Sequence, residues 1–237
     1  MTEKKNITHI GVIMDGNRRY TIQNSKKLFS GYLDGAKKAQ KFVEWCIEEN
    51  ISEITLYAYS IENDLNRSLV EKKTLIKLFV GVFDDLLKNK QLEKDNIKIR
   101  FIGERQLIEE KIINLIEKIE AKTKNNKRII VNIAFYYSGR QEIVNAVKNI
   151  NQDTKNKKIK KQDINEDLIK KYTYLPDSQY PELILRTGFS HRLSNFLLWH
   201  CAYSELYFID KLWPQIEKQD LINAIEFYKN SKNNYGK

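Results

Sequence analysis

The sequence predicts an α/β chain with a mostly parallel sheet of about six strands, wrapped by helices. Two observations carry that expectation. Short apolar, β-branched runs alternate with longer stretches whose apolar residues recur at helical spacing. Polar, arginine-bearing clusters follow several of the short runs, where ligands meet an open parallel sheet. The 237 residues, 41% hydrophobic and 30% charged, fit one large domain with a real core. No internal repeat or linker divides residues 1–237.

The first apolar run, His9 to Met14, reads as a buried strand. It ends in Asp15-Gly16-Asn17, a combination that favours a turn and permits positive φ, and Arg18-Arg19-Tyr20 follow. A carboxylate, free backbone N–H groups and two guanidinium forks at a strand end suit a metal-bound phosphate or diphosphate. An ordinary strand-to-helix turn with a solvated arginine pair is the alternative for this stretch alone.

Residues 21–30 are polar and read as a loop or a first helix. Ala36, Ala39, Val43, Cys46 and Ile47 then give helical spacing over 36–49. A second strand over 54–59 runs into the polar cluster 60–68. A long amphipathic helix over 68–90 follows, with Leu69, Leu75, Leu78, Phe79, Val82, Phe83 and Leu86 on one broad face. Residues 97–102 alternate apolar and basic as a third strand, 104–124 form a helix, and 128–135 form a fourth, buried strand. Ser138-Gly139-Arg140 leads into a helix over 141–150. The basic stretch 151–161 is loop-like and the best candidate for mobility. A short helix over 163–171, a fifth strand over 182–186 with a charged turn to Arg192, a sixth strand over 205–208 and a helix over 221–228 complete the chain.

The formal net charge of +10 admits nucleic acid, an anionic membrane surface or polyanionic substrates. Much of it is lysine in Lys/Asn-rich stretches, which reads as a solvated face, and no nucleic-acid-binding motif accompanies it. Cys46 and Cys201 form no CxxC pair and no zinc spacing, which suits a reducing, cytoplasmic compartment. The first apolar run is too short for a signal peptide, and no segment approaches a membrane span.

The strand ends together carry Asp15, Arg18, Arg19, Ser60, Glu62, Asn63, Arg67, Arg140, Arg186, Arg192 and Ser194. Arginine-bearing turns on one rim suit two diphosphates. Asp15 suits Mg²⁺, which takes one or two carboxylates plus substrate phosphates. Neither a Walker A sequence nor GxGxxG follows the first strand, so a nucleotide lacks its signature.

Four blocks then resemble, in order, those of the cis-prenyltransferases, the family of undecaprenyl and dehydrodolichyl diphosphate synthases. They are His-Ile-Gly-Val-Ile-Met-Asp-Gly-Asn-Arg-Arg from His9, Tyr-Ala-Tyr-Ser-Ile-Glu-Asn from Tyr57, Ser-Gly-Arg-Gln-Glu-Ile from Ser138, and Leu-Arg-Thr-Gly-Phe-Ser-His-Arg-Leu-Ser-Asn-Phe-Leu-Leu-Trp from Leu185. The resemblance runs from His9 to about Pro214. It implies an undecaprenyl diphosphate synthase-like fold and a Mg²⁺-dependent enzyme that adds isopentenyl diphosphate to an allylic diphosphate with Z geometry. Asp15 and Asn63 would be catalytic, with Asn63 tied to proton removal. Gly16, Asn17, Arg18, Arg19, Tyr20, Tyr32, Ser60, Ile61 and Glu62 would hold the allylic diphosphate. Arg67, Arg186, Arg192, Leu193 and Ser194 would hold isopentenyl diphosphate, and Glu205 would join Asp15 at the metal. A homodimer is implied, and a long product implies peripheral contact with a membrane.

Several positions depart from the family pattern. Tyr32 stands where histidine is usual, the second block lacks its tryptophan and carries an extra residue before Arg67, and Phe189-Ser190 replace Gly-Glu. Phe135 and Tyr136 replace a small residue and asparagine. If Phe135 faces the channel for the growing chain, its bulk predicts a product shorter than C55. A short or irregular isoprenoid synthase and a non-catalytic subunit of a heteromeric enzyme are the alternatives.

Overall fold

The computed structural model describes residues 6–231. In chain order the main elements are β1 (His9–Ile13), α1 (Asn17–Gln23), α2 (Leu28–Glu48), β2 (Glu53–Ser60), α3 (Ile61–Asn66), α4 (Leu69–Lys88), α5 (Gln91–Lys94), β3 (Ile97–Ile102), α6 (Glu110–Thr123), β4 (Ile129–Tyr137), α7 (Gly139–Lys155), α8 (Glu166–Lys171), β5 (Leu183–Thr187), β6 (Glu205–Ile209) and α9 (Lys218–Asn230). The six strands form one sheet in the order β3-β4-β2-β1-β5-β6. Every pairing is parallel, so the sheet is wholly rather than mostly parallel.

The strand order places the functional rim. From β1 the chain steps to β2 on one side, whereas β5 lies on the other side of β1 and leads outward to β6. The connections thus diverge beside β1, and a crevice opens beyond the carboxyl ends of β1, β2 and β5. β1 and β5 are buried along their full length, as parallel strands covered on both faces must be.

Several helices exceed their sequence signals. The polar segment after β1 is α1. It follows Gly16, whose φ of 110° lies in the left-handed region and whose place has no room for a Cβ, which would fall 2.9 Å from Leu212. α2 begins at Leu28 rather than Ala36. The polar cluster after β2 is the short helix α3, because the Ser60 hydroxyl accepts from the Asn63 amide at 2.9 Å as an N-cap.

The 104–124 helix divides into a 3-10 turn at Arg105–Leu107 and α6. The loop expected from 151 is instead the last turn of α7, which runs to Lys155. Ile150 is buried there, and Asp153 accepts from the Tyr172 hydroxyl at 2.7 Å. Lysines on the solvent face extend that helix rather than break it.

The larger core packs α2, α4, α6 and α9 on the sheet. Its aromatic heart is Tyr59, Phe79, Phe83, Phe101 and Phe135, whose rings meet mostly edge to face. A smaller core around Tyr137, Phe196 and Leu197 supports the rim loops.

Candidate active site

A cavity of about 1080 Å³ opens at the rim and runs down between the sheet and the helices α2 and α4. Its mouth carries Asp15, Arg18, Arg19, Asn63, Arg67, Arg140, Arg186, Arg192 and Ser194. Its depth is apolar, with Ala39 and Val43 from α2, Leu75, Phe79, Val82 and Phe83 from α4, and Val131 and Ile133 from β4. The fold therefore joins an anion-binding mouth to a hydrocarbon-lined shaft. Few ligands need both.

Asp15 leaves β1 and meets Arg186 at the end of β5. The Arg186 guanidinium donates to Asp15 Oδ2 at 2.9 Å and to Ser194 Oγ at 2.7 Å, and it also reaches the carbonyl of Arg192. Arg186 is buried, with 3% of its surface exposed. Arg19 approaches Asp15 Oδ1 at 3.2 Å from the first turn of α1. Gly188 permits this crowding: its φ is +88°, and a Cβ there would fall 2.6 Å from Arg19 Nη2 and 2.9 Å from Asp15 backbone. Trp213 closes the back of the loop by donating its backbone N–H to the Asp15 carbonyl at 3.0 Å and its indole N–H to Gly35 O at 2.9 Å.

Across the mouth, Arg67 occupies the rim despite the altered spacing of its block. It donates to Tyr32 Oη at 3.0 Å, pairs with the buried Glu71 at 3.3 Å, and lies over the rings of Tyr32 and Tyr59 at 5.4 and 5.7 Å. A second donation reaches Asn63 Oδ1 at 3.4 Å. Burial pushes the Tyr32 phenol up; Arg67 opposes that shift and Glu71 adds to it. Tyr32 therefore remains a neutral hydroxyl at neutral pH, set in place by Arg67.

Three buried polar atoms at the site lack a partner: Asn17 Oδ1, Glu62 Oε2 and Arg186 Nε. Unsatisfied buried groups are rare and costly, and all three residues line the cavity. Their clustering beside the cavity sets this rim apart from the well-satisfied polar groups of the core. Gly35 faces the first of the three atoms, since a Cβ at Gly35 would lie 2.0 Å from Asn17 Oδ1. Gly35→Ala is expected to displace Asn17 and raise the KM for the ligand of this loop by roughly tenfold or more. Steady-state kinetics beside a thermal melt would separate that from unfolding.

Fourteen of the site residues singled out from the sequence line the cavity: Asp15, Gly16, Asn17, Arg18, Arg19, Tyr32, Ser60, Glu62, Asn63, Arg67, Arg140, Arg186, Arg192 and Ser194. Four do not. Tyr20 turns toward Lys26, whose ammonium sits 5.2 Å from its ring. Ile61 opens α3 and does not line the cavity that its neighbours Glu62 and Asn63 line; adjacent positions on a helix point about 100° apart. Leu193 packs against the smaller core. Glu205 begins β6 in register with Leu183, whereas Arg186 at the rim pairs with Phe208, so within one protomer Glu205 stands at the opposite end of the sheet from Asp15.

Phe135 also lies off the cavity. It is 1% exposed, with its ring 4.7 Å from Phe79 and 5.4 Å from Phe83, and those two form the wall. Asn195 went unnoticed in the sequence, although it ties the rim together. Its amide donates to Glu62 at 2.6 Å and to Ser138 at 2.7 Å, and its carbonyl accepts from the Arg140 backbone at 2.9 Å. Its place directly after Ser194 was the available signal.

Comparison with known proteins agrees with this geometry. Residues 13–236 match the family described as "Putative undecaprenyl diphosphate synthase". A tritrans,polycis-undecaprenyl-diphosphate synthase (geranylgeranyl-diphosphate specific) of Pyrococcus abyssi is 37% identical over 97% of this chain and 86% of its own. The enzyme of the same name from Picrophilus torridus is 40% identical over 96% and 89%. The crystal structure of a probable undecaprenyl diphosphate synthase from Campylobacter jejuni superposes with a TM-score of 0.81 at 34% identity, covering 98% of this chain and 100% of that one. Lavandulyl diphosphate synthase from Lavandula x intermedia, solved with dimethylallyl diphosphate, gives 0.89 at 25% identity, covering 98% of each chain. The chain belongs to the undecaprenyl diphosphate synthase family, the cis-prenyltransferases, and is a prenyl-transferring enzyme.

Proposed function

We propose that this enzyme, acting as one catalytic unit, elongates an allylic diphosphate with successive isopentenyl diphosphate units to a Z-polyprenyl diphosphate. The observation that carries this reading is the apolar shaft leading down from an arginine-rich mouth. The C–O bond of the allylic diphosphate breaks and leaves diphosphate. The isopentenyl double bond then attacks the allylic carbon, and a proton passes from its C2 to the released diphosphate. Arg18, Arg19 and the N–H groups around Gly16 hold the leaving group, while Arg186, Arg192, Ser194 and Arg67 hold the incoming diphosphate. Asn63, fixed by Arg67, orients the isopentenyl group as its proton departs. The dry walls protect the allylic cation from water.

Mg²⁺ fits the mouth. Among the described residues no cluster of three or more His, Cys, Asp or Glu side chains forms a ready-made metal cage. Asp15 alone, beside phosphate-binding arginines, suits an ion that keeps waters and takes substrate phosphates as ligands. When bound, it neutralises charge on the departing diphosphate.

The geranylgeranyl specificity in the names of the Pyrococcus and Picrophilus enzymes supports a C20 starter. The cavity, about 1080 Å³ with its arginine-lined mouth included, suits a chain of several isoprene units and supports a product shorter than C55. The size of the apolar cavity favours chain elongation over a short or irregular coupling. The intact rim around Asp15 and Arg186 argues against a non-catalytic subunit.

Purified protein with Mg²⁺, labelled isopentenyl diphosphate and C5 to C20 allylic diphosphates should yield polyprenyl products, resolved by chromatography; no turnover with any starter overturns the proposal. Phe79→Ala is expected to lengthen the product by one or more C5 units, because Phe79 itself forms the wall. Phe135→Ala should mainly cost stability, about 3–5 kcal/mol for a buried phenylalanine.

The unpaired outer edge of β6, with exposed Leu206 and with Phe227 beside Tyr207, supports a homodimer. The two cysteines, both free and buried, suit a cytoplasmic enzyme. No helix among the described residues is long and apolar enough to cross a membrane, and a polyprenyl product calls for peripheral contact with one.

A further inference from the structure

We infer that the corner where α1, α2, α3 and α4 meet beside the cavity mouth is the surface by which this enzyme rests on an anionic lipid bilayer. The inference depends on the proposed function for its purpose, since a polyprenyl diphosphate must pass from shaft to membrane. Its geometry stands independently. Tyr32 in the first turns of α2 touches Arg67 and Glu71 at the start of α4, so the two helices begin side by side at the mouth. α1 packs on the start of α2, where a Cβ at Gly31 would fall 2.0 Å from Thr21 Oγ1.

Around this corner Ile22 is 68% exposed, Phe29 43%, Leu65 72%, Leu69 73% and Val70 75%. Scattered exposed apolar residues are ordinary. Five large ones on the four helices that meet beside one opening are not, and apolar surface gathered in this way marks a contact site. None of the five lines the cavity, so the reaction makes no use of them.

Charge selects the occupant. Lys27 and Lys73 are exposed at the same corner, and they remain in excess once the ion pairs there are formed. The nearby acids are already matched: Asp34 by Lys26 at 2.5 Å, Asp64 by Lys72 at 3.7 Å, and Glu71 by Arg67. Protruding aliphatic and aromatic side chains set among lysines are the pattern of a surface that dips into the headgroup layer of anionic membranes. Seated there, the enzyme would bring the cavity mouth next to the bilayer, so that the product leaves the shaft beside the membrane. The arginine side of the mouth, at Arg18 and Arg192, would still face the aqueous isopentenyl diphosphate.

Flotation of the full chain with phosphatidylcholine vesicles, with and without phosphatidylglycerol, tests this directly. The wild type is expected to bind the anionic vesicles about tenfold more tightly than neutral ones, and high salt should reverse most of that gain. The pair Leu69→Asp and Val70→Asp, and separately Leu65→Asp, should each remove most of the binding. Both should keep wild-type turnover in detergent, which also reports that they fold. Lys157→Glu with Lys158→Glu, on the lysine-rich segment after α7, should bind as the wild type does. Equal binding to both vesicle types, undiminished binding by the aspartate variants, or loss of binding in the lysine variants would overturn the inference. So would an absence of vesicle binding, which would leave the patch to a protein partner. Turnover in detergent decides the proposed reaction separately, so each claim can fail without the other.

Discussion

Asp15→Asn is expected to lower kcat by about 10³-fold while leaving a folded protein. Asparagine keeps the size of the side chain and one acceptor oxygen. It removes the charge that both Arg186, at 2.9 Å, and Arg19, at 3.2 Å, answer. It also removes the carboxylate that would hold Mg²⁺ against the allylic diphosphate. Loss of one preorganised charge at a departing group is worth about 10²–10³ in rate, and impaired metal binding adds to that. The folding cost is smaller. Asp15 is about one-third exposed, so losing its half of the pair with Arg186 should cost about 1–2 kcal/mol once solvent screening is allowed for.

Product formation over a range of Mg²⁺ concentrations, together with a thermal melt, reads both effects. The variant should need more Mg²⁺ for whatever rate remains. Near-normal turnover at ordinary Mg²⁺ would show that Asp15 is not at the reacting centre.

The architecture was legible in the sequence because it rests on local patterns. Most strands announced themselves as short apolar runs and β3 by its alternation of apolar and basic residues, and α4 as a stripe from Leu75 to Leu86. The rim was legible for a topological reason: in a parallel sheet all strands end on one side, so clusters read separately after β1, β2 and β5 had to converge. What stayed hidden depended on side-chain direction and on long-range contact. α3 has too few residues to show a period, and its start is fixed by a single Ser60 cap. Tyr20, Ile61 and Leu193 belong to the right segments but do not line the cavity. Glu205 shares a sheet with Asp15, and only the β5–β6 register places them at opposite ends. Phe135 lies two positions beyond the wall residue Ile133; the packing of Phe79 and Phe83 against it keeps it off the wall. Asn195 bridges Glu62 and Ser138, two partners distant in sequence, and no local pattern announces such a bridge.

Arg186→Lys is expected to cost about 10²-fold or more in kcat/KM for isopentenyl diphosphate, even though the charge is kept. Arg186 is the most buried charge at the mouth, and its fork serves three protein groups at once: Asp15, Ser194 and the Arg192 carbonyl. Its Nε is buried and has no hydrogen-bond partner among the described residues. Lysine presents one compact ammonium on a flexible stem and cannot reproduce that fork, so it would hold Asp15 or Ser194 but not both, and would leave the diphosphate without its planar partner. Arg186→Ala goes further, because it leaves Asp15 to Arg19 alone and opens a void beneath the rim; with Asp15 about one-third exposed, the loss is about 2–3 kcal/mol. The two variants therefore separate two roles. If Arg186 both binds substrate and braces the loop, the lysine variant should melt near the wild type with a raised KM, while the alanine variant should lose stability as well. A lysine variant with wild-type kcat/KM would show that any positive charge suffices at the end of β5. The arrangement around Asp15 would then owe its order to Arg19, Gly188 and Trp213 rather than to the buried fork.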